Sequence, residues 1–302
     1  MPIGLITHMD ASRAEDVVDL ITNVDYKNTP LYSGLAESTA QNTLHEWLTD
    51  TYASSADNAQ IEASDVSATD LTQPSRANNV VQMFRKSIVV SDTERAVRVY
   101  GASDPYTYQM QKAMTELARD IEKALMVGTR ASGSSGVARR LDGVIAKITT
   151  NATARNSGTS LSETEFNDIM AGVWNAGTDA NPDEVYVGSY LKRVISGYTA
   201  GSTKFATIED DKRLVNVVDV YEGDFGVHKI FKHREVPSAG GTAAVVAIVS
   251  SKWRVSFLYV RRPKHLPLWK TGSSTKGMIE GELTLEALNE KSSAKRTGYF
   301  VG

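Results

Sequence analysis

The fold is decided by DPYTYQMQKAMTELARDIEKALMVG, residues 104–128, a segment with the pattern of one unusually long helix. Asp104 is an N-cap candidate, Pro105 suits the first helical position, and Gly128 suits a left-handed residue at the C-terminal end. At ~1.5 Å per residue, the residues between these signals form a rod of roughly 34 Å, about twice the length of a common globular helix. We therefore predict a helix over 105–127.

One face of this helix is apolar. Apolar residues recur three and four positions apart, whereas most charged residues fall elsewhere, so we predict that the helix packs on one side only. The stripe consists of Tyr106, Met110, Ala113, Met114, Leu117, Ile121, Ala124 and Leu125. A core helix of an ordinary enzyme has the same pattern, so the stripe alone does not decide the function.

The composition excludes several classes of protein. The chain has 302 residues, which suit one large or two medium domains, and its net charge of -3 gives no overall basic field for sequence-specific nucleic-acid binding. It contains no cysteine, which excludes disulfides and thiolate metal sites and fits a reducing cytosol. The N-terminus lacks the features of a secretory signal, and the longest apolar run, residues 243–249, is too short to span a bilayer.

A long polar segment separates two predicted strands, residues 43–52 and 79–90. The segment between them, residues 53–78, has no aromatic residue and only three large aliphatic ones. Compact domains seldom contain so long a hairpin loop. The segment is therefore either disordered or an extension that rests on another molecule.

The rest of the chain predicts a mixed α/β unit preceded by a short arm. Residues 1–30 indicate an arm with one short helix, which a capping box of Ser12 and Glu15 begins. A second capping box, Ser162 with Glu165, begins a helix that ends at Gly177. We further predict a Gly/Ser-rich turn at 128–140, strands at 141–150, 185–187, 243–249 and 253–260, a helix at 189–195, and a hairpin within 214–231.

The closing segment, residues 278–290, alternates between apolar and polar residues. Its pattern predicts a strand of roughly 33 Å at ~3.3 Å per residue, with only one apolar face. This length matches that of the long helix, so we expect the apolar faces of the two elements to pack together. The apolar face consists of Ile279, Leu283, Leu285 and Ala287, and the polar face of Glu280, Glu282, Thr284 and Glu286.

Motifs for catalysis or ligand binding are incomplete. GTRASGSSG lacks the lysine of a phosphate loop, and DANPDE at 179–184 lacks the glycine and glutamate of a calcium loop, which favours a turn around Pro182. His228 and His233 lie five positions apart on a predicted strand and so on opposite faces, which favours individually satisfied histidines. We expect no catalytic, cofactor-binding or metal-ligating residues and no enzymatic activity.

Local basic clusters are the remaining charged features. Their interspersed acidic neighbours favour solvated faces or subunit contacts over a nucleic-acid site. The clusters are Arg139 with Arg140, then Arg261, Arg262 and Lys264, and then Lys291, Lys295 and Arg296.

Four segments in this order resemble a known family. They are the projection up to MFRKSIVVSDTERAV, the helix ASDPYTYQMQKAMTELARDIEKALMVG, the turn NPDEVYVGSYLKRVI and the ending ELTLEALNEKSSAKRTGYF. An arm, a long projection, a long helix, a compact α/β insertion and a returning strand resemble the HK97-like fold of tailed-bacteriophage major capsid proteins, and most of all the SU10-like branch.

The resemblance implies an α+β (mixed α/β) fold with four parts. These are an N-terminal arm at 1–30; an extended loop at 31–95 with its tip at 53–78; a peripheral domain at 96–154 and 265–302 with its spine helix at 104–127; and an axial domain at 155–264. Cross-linked members carry a lysine near the loop tip, whereas residues 53–78 contain none and Lys86 lies at the base. We therefore expect a shell without covalent cross-links.

The resemblance also implies a function and partners. The chain would self-assemble, as hexamers and pentamers, into the icosahedral shell of a virion that encloses double-stranded DNA. Assembly would occur in the bacterial host cytoplasm with a scaffolding protein, a portal and a decoration protein, with non-specific DNA contacts and no membrane. An encapsulin-like compartment and a soluble α/β enzyme remain as alternatives.

Overall fold

The computed structural model describes residues 25, 28–63, 65, 71–97, 99, 104–155, 160–178, 180–198, 219–238 and 242–300. The helix predicted within residues 1–24 lies outside this part of the chain. The described helices are α1 (Pro30–Gly34), α2 (Asp92–Ala96), α3 (Pro105–Val127), α4 (Val144–Lys147), α5 (Glu163–Asn175) and α6 (Ser189–Ser196). The described strands are β1 (Ala36–Ala40), β2 (Leu44–Thr49), β3 (Ser75–Val80), β4 (Gln82–Ser91), β5 (Ala152–Ala154), β6 (Glu184–Val187), β7 (Val220–Gly223), β8 (Gly226–Lys232), β9 (Ala243–Ile248), β10 (Trp253–Leu258), β11 (Lys264–Pro267), β12 (Ser274–Ala287) and β13 (Ala294–Tyr299).

The chain divides into two compact units. One consists of Met1–Lys27, Arg85–Leu117 and His265–Ile279. The other consists of Asn28–Phe84, Ala118–Lys264 and Glu280–Gly302. The second unit contains most of the strands and the larger apolar core.

Helix α3 has the predicted bounds. The Asp104 carboxylate accepts hydrogen bonds from Tyr106 N at 3.2 Å and from Thr107 Oγ1 at 2.8 Å, as expected of an N-cap. The buried part of the predicted stripe consists of Ala113, Leu117, Ile121 and Leu125. Met114 is half-exposed instead, so the buried stripe is narrower than predicted. The packing of this stripe on the closing strand stays a prediction.

The predicted left-handed conformation at Gly128 is wrong, because the structure has no positive φ there. The glycine has a different reason to be there. A Cβ atom at Gly128 would lie 2.4 Å from Ala124 O and 2.8 Å from Leu141 O, so only glycine lets the next segment pass the helix end.

The predicted strand at 141–150 is also wrong, because this segment contains the short helix α4. Leu141, Val144 and Ile148 are buried at a spacing of three and four, which is a helical period that β-branched composition masked. Gly143 N donates to Gly128 O at 2.9 Å and thereby fixes the segment beside the end of α3.

The six-stranded sheet, with strand order β5-β13-β9-β6-β8-β7, contains the predicted mixed α/β unit. Helix α5 begins at the predicted capping box of Ser162 and Glu165, and both reciprocal hydrogen bonds are present. Its apolar residues Phe166, Ile169, Met170 and Val173 are buried, whereas Trp174 is mostly exposed. Strand β9 is buried throughout, and β7 with β8 forms the described part of the predicted hairpin. The core includes Phe166, Ile169, Met170, Val173, Val185, Val187, Leu191, Ile195 and Ile230.

The five-stranded sheet has the order β1-β10-β12-β11, with β4 also paired to β12. The single strand predicted at 79–90 is in fact two, β3 and β4, interrupted at the buried Val81, whose N donates to Thr43 O at 2.8 Å. The prediction that β12 exposes a polar face is wrong, since Glu280, Glu282 and Glu286 are all buried.

Candidate assembly surfaces

Strands β2 and β3 form a two-stranded sheet of their own, in register from Leu44↔Val80 to Thr49↔Ser75. A two-stranded ribbon is at best marginally stable in water, so it needs support from elsewhere in the subunit. The predicted bounds of the tip, 53–78, are wrong, because β2 already ends at Thr49 and β3 already begins at Ser75. We call the two-stranded ribbon the base, residues 50–74 the tip, and the two together the projection. The structure supports its base and leaves its described tip in solvent.

The indole of Trp47 anchors one strand of the base. Its Nε1 donates to Ala287 O at 2.8 Å, and Lys147 Nζ lies 5.7 Å from the centroid of the ring. Lys147 Nζ also donates to Asn78 O at 2.6 Å on the other strand. Burial lowers the pKa of Lys147, whereas the charge of Asp142, with its Oδ2 at 3.6 Å, opposes that shift. One cation therefore contacts both strands of the base.

Asn79 anchors the other strand through a fully buried side chain. Its Oδ1 accepts from Val80 N at 2.8 Å and from Asp142 N at 2.9 Å. Its Nδ2 donates to Leu285 O at 2.8 Å and to Asp142 O at 3.0 Å. The carboxamide thus has four partners, which is its full hydrogen-bonding capacity.

The tip of the projection has a different environment. All described residues of 50–65 and 71–76 are exposed. They include three large apolar side chains, Tyr52, Ile61 and Leu71, which lie in solvent. The segment 50–74 contains five acidic residues, Asp50, Asp57, Glu62, Asp65 and Asp70, and neither lysine nor arginine. Its described residues therefore present an acidic surface with apolar side chains that the subunit itself does not cover.

Two buried glutamates of β12, Glu280 and Glu282, form ion pairs with one arginine from each of two predicted basic clusters. Arg261 forms an ion pair with Glu280 and donates from Nε to Glu282 Oε1 at 3.0 Å. Arg139 Nη2 donates to Glu282 Oε2 at 3.2 Å. The structure therefore brings Arg139 and Arg261 together on one carboxylate, and these two side chains serve the subunit interior.

Glu286 lies in a polar environment on the same strand. Ser38 Oγ donates to its Oε2 at 3.0 Å, Ser256 Oγ lies 3.2 Å from the same atom, and His45 Nε2 lies 3.8 Å away. The His45 imidazole, and then the hydroxyl of Ser38, lowers the pKa of the Glu286 carboxyl against the opposing effect of burial. Strict alternation could not reveal this environment, because its partners lie far away in the sequence.

The third basic cluster also makes contacts within the subunit. Lys295 Nζ donates to Ile145 O at 2.7 Å, and Arg296 Nη1 donates to Glu165 O at 3.1 Å. Burial lowers the pKa of Lys295. These two cations therefore support the fold.

Glu122 on α3 is a buried acid that sequence reasoning missed. Its Oε1 accepts from Leu31 N at 2.9 Å and from His233 Nε2 at 2.7 Å, and its Oε2 accepts from Tyr32 N at 2.7 Å. His233 Nδ1 accepts from Glu235 N at 3.2 Å, which assigns the ring proton to Nε2. The carboxylate therefore joins α3 to the first turn of α1. Its position next to Ile121 in the stripe was the available signal.

His228 has a separate partner. Its Nδ1 lies 2.5 Å from Pro182 O and so carries the proton, and burial lowers the pKa of the imidazole. The interpretation of His228 and His233 as individually satisfied histidines is confirmed. The two side chains do not share a ligand.

The described part of the chain has one cavity to consider as an enzyme site, and its lining offers little chemistry. A cavity of about 490 Å³ lies at the Gly/Ser-rich turn and is lined by Met83, Ser132, Gly133, Ser134, Val137, Ala138 and Arg139. Its one charged lining residue, Arg139, is engaged with Glu282. Among the described residues, no group of three His, Asp or Glu side chains could hold a metal ion, and no helix has the length and apolarity to cross a membrane.

Comparison with known proteins identifies the family. Residues 5–300 match the family described as SU10 major capsid protein. The major capsid protein of Escherichia phage Phieco32 is 25% identical over 317 residues, which cover 87% of this chain and 88% of that protein.

Solved structures show the same fold at low sequence identity. The capsid of the native GTA particle has a TM-score of 0.70 at 10% identity, covering 95% of this chain and 96% of that one. The SrpI encapsulin of Synechococcus elongatus PCC 7942 has a TM-score of 0.59 at 9% identity, covering 96% and 93%. The predicted α+β, HK97-like fold is thereby confirmed.

The family match settles what the encapsulin likeness leaves open, because it extends over nearly the whole chain. Proteins of this family are structural, and capsids are built from many copies of one chain. The chain therefore belongs to the SU10 major capsid protein family and is the major capsid protein of a tailed bacteriophage.

Proposed function

We propose that residues 50–74 of each subunit bind a neighbouring subunit and that this contact stabilises the shell. The observation that supports the proposal is the contrast in burial along the projection: a base with buried, hydrogen-bonded Trp47 and Asn79, and a tip whose described residues are all exposed. Many weak contacts through overlapping segments give a shell a large buried area without a large subunit core.

The proposed contact is non-covalent. The tip contains no lysine to supply an amine, and Lys86 on β4 lies near an acid, with Nζ 3.9 Å from Glu116 Oε2. Particles boiled in detergent should therefore run as a single band near 32.8 kDa. A ladder of larger bands that survives denaturation would contradict this part of the proposal.

The wider proposal concerns the domains of the subunit and its assembly partners, as the sequence predicts them. Residues 1–30 form an arm, 31–95 the extended loop, 96–154 with 265–302 the peripheral domain, and 155–264 the axial domain around five-fold and six-fold centres. Hexamers and pentamers assemble in the host cytoplasm with a scaffolding protein, a portal and a decoration protein. The mildly acidic chain, with a net charge of -3, touches packaged DNA only non-specifically.

An encapsulin-like compartment, the alternative named from the sequence, shares the fold at 9% identity. The contents of purified particles distinguish the two functions. Double-stranded DNA inside particles from infected cells supports the phage capsid, whereas a cargo enzyme without DNA would support the compartment.

Shortening the tip tests the proposed contact. Replacing residues 50–74 by an Asn-Gly turn closes β2 onto β3 with a smaller loop, which is entropically easier and removes little packing. The subunit should keep its circular dichroism spectrum, yet electron microscopy should show few or fragile particles. Normal particles of equal stability would make the tip a passive insertion, and an unfolded subunit would make it part of the core.

A further inference from the structure

Val260 adopts a backbone conformation that its side chain disfavours. Its φ is +62°, and among the described residues it is one of two non-glycine residues with positive φ. The left-handed region is crowded for any residue with a Cβ atom, and a branched side chain makes it a genuine outlier. Such an outlier persists only where surrounding structure enforces it, and often where a function needs it.

The surrounding hydrogen bonds enforce this turn. Arg261 N donates to Leu258 O at 2.9 Å, which places Val260 at the third position of a turn where glycine or asparagine is normal. Tyr259 N donates to Ala40 O at 2.9 Å, and Glu282 N donates to Arg261 O at 2.8 Å. The backbone is thus fixed to β1 on one side and to β12 on the other.

The two side chains at this turn contribute little packing to the subunit. Tyr259 and Val260 are each 65% exposed, although both are large and apolar. A strained residue whose side chain lies in solvent is not explained by the stability of its own subunit. The exposed pair is therefore available for contact with another molecule.

Two cations lie beside the exposed pair. The Arg262 guanidinium lies 4.6 Å from the centroid of the Phe257 ring, and its Nη2 is 2.7 Å from Glu37 in an exposed ion pair. A guanidinium has five N–H donors, so further donors remain for an incoming carboxylate. Lys264 is exposed and has no acidic partner within the described part of the chain. Arg261, in contrast, is already engaged with Glu280 and Glu282.

We propose that residues 259–264, the receiving turn, bind the acidic tip 50–74 of a neighbouring copy of this chain. The tip offers five carboxylates with exposed Tyr52, Ile61 and Leu71 and has no cation of its own. The receiving turn offers a fixed apolar pair beside the Lys264 ammonium and the remaining N–H donors of Arg262. The two surfaces match in charge and in apolar content. This inference rests on the proposed role of the tip and names the surface that receives it.

The absence of cysteine in the chain permits a clean cross-linking test. Chains carrying Ile61→Cys are co-expressed with chains carrying Val260→Cys, and the particles are oxidised and run without reductant. A band at twice the monomer mass then reports a disulfide that links two subunits. Repeating the pairing with Tyr52→Cys and with Leu71→Cys covers the described length of the tip. Each variant expressed alone measures pairing between identical positions.

Val227→Cys is the control, because Val227 is an exposed valine outside the receiving turn, on β8, at 54% exposure. We expect at least one tip cysteine to give several-fold more dimer with Val260→Cys than with Val227→Cys. If the tip cysteines formed dimer with Val227→Cys but not with Val260→Cys, the assignment of the receiving turn would be wrong, while the tip could still act in assembly. Absence of dimer from every pairing would overturn it as well. The shortened-tip variant tests the role of the tip independently.

Val260→Asn separates fold from assembly. Asparagine tolerates the left-handed conformation, so the melting temperature of the dissociated subunit should be unchanged or higher. The guanidinium concentration that dissociates half of the particles, followed by light scattering, should fall. Arg262→Gln should lower this concentration further. Because one cation of the contact is lost, particle stability should also depend less on salt concentration than in the parent protein. Particles of unchanged stability in both variants would overturn the proposal.

Discussion

Trp47 and Leu48 are neighbours in one strand, yet the first is 9% exposed and the second 68% exposed. The indole donates to Ala287 O, whereas Leu48 contributes little to the core. The same contrast extends along the projection, from Asn79 with four hydrogen bonds at the base to a tip of solvated carboxylates. One hairpin thus combines a base selected for the fold with a tip available to another subunit.

The largest expected effect comes from a buried charge on α3. Leu117→Asp places a carboxylate at a position that is 3% exposed, which costs several kcal/mol and should prevent soluble folding. Met114→Asp is the control, because Met114 is half-exposed on the same helix. Soluble yield and circular dichroism measure the difference. Normal particles from Leu117→Asp would show that this face is not part of the core.

A smaller effect is expected at the base of the projection. Asn79→Ala removes four hydrogen bonds, among them those to backbone groups of the half-buried Asp142 and the buried Leu285, at a cost of about 2–4 kcal/mol in unfolding free energy. Asn58→Ala at the exposed tip should change the same quantity by about 0.5 kcal/mol or less. Urea denaturation of the unassembled subunit measures both. Equal effects would remove the distinction between base and tip.

The smallest effect is a pH dependence at His228. Because burial places the folded-state pKa below the ordinary value of 6.5, the unfolded chain binds the proton first as the pH falls. Stability is therefore lost as the pH falls below about 6.5, with a slope of at most about 1.4 kcal/mol per pH unit. His228→Asn can still donate to Pro182 O but does not titrate.

Urea denaturation at pH 7 and pH 5 checks this prediction. The parent subunit should lose more stability than His228→Asn over this interval. Glu286, whose pKa is lowered from 4.5, loses its contribution only at more acidic pH and does not interfere. An identical loss in the two proteins would show that His228 does not titrate as proposed.

Local signals in the sequence explain which elements could be predicted. The bounds of α3 and the start of α5 follow from Asp104, Pro105 and the Ser162–Glu165 capping box, all of which act within one turn. The segment 141–150 misled because its β-branched residues favour a strand, whereas its burial has a helical period. The exposed tip followed from composition alone.

Contacts between distant residues explain what could not be predicted. The glutamates of β12 alternate with apolar residues as solvent-facing residues do, but Arg139 and Arg261 approach them from other parts of the chain. Glu122 similarly depends on His233 and on the backbone of α1. The strain at Val260 has no local sequence signal, because valine is an ordinary residue in a strand and only the closed turn makes it unusual.

Amide hydrogen exchange tests the central claim most directly. Exchange of residues 50–63 is measured in intact particles and in dissociated subunits, with β9 as the internal reference because it is buried within the subunit. We expect β9 to be protected in both states, and residues 50–63 to exchange fast in subunits and many-fold more slowly in particles. Fast exchange of residues 50–63 in intact particles would contradict the assignment of the tip to an intersubunit contact.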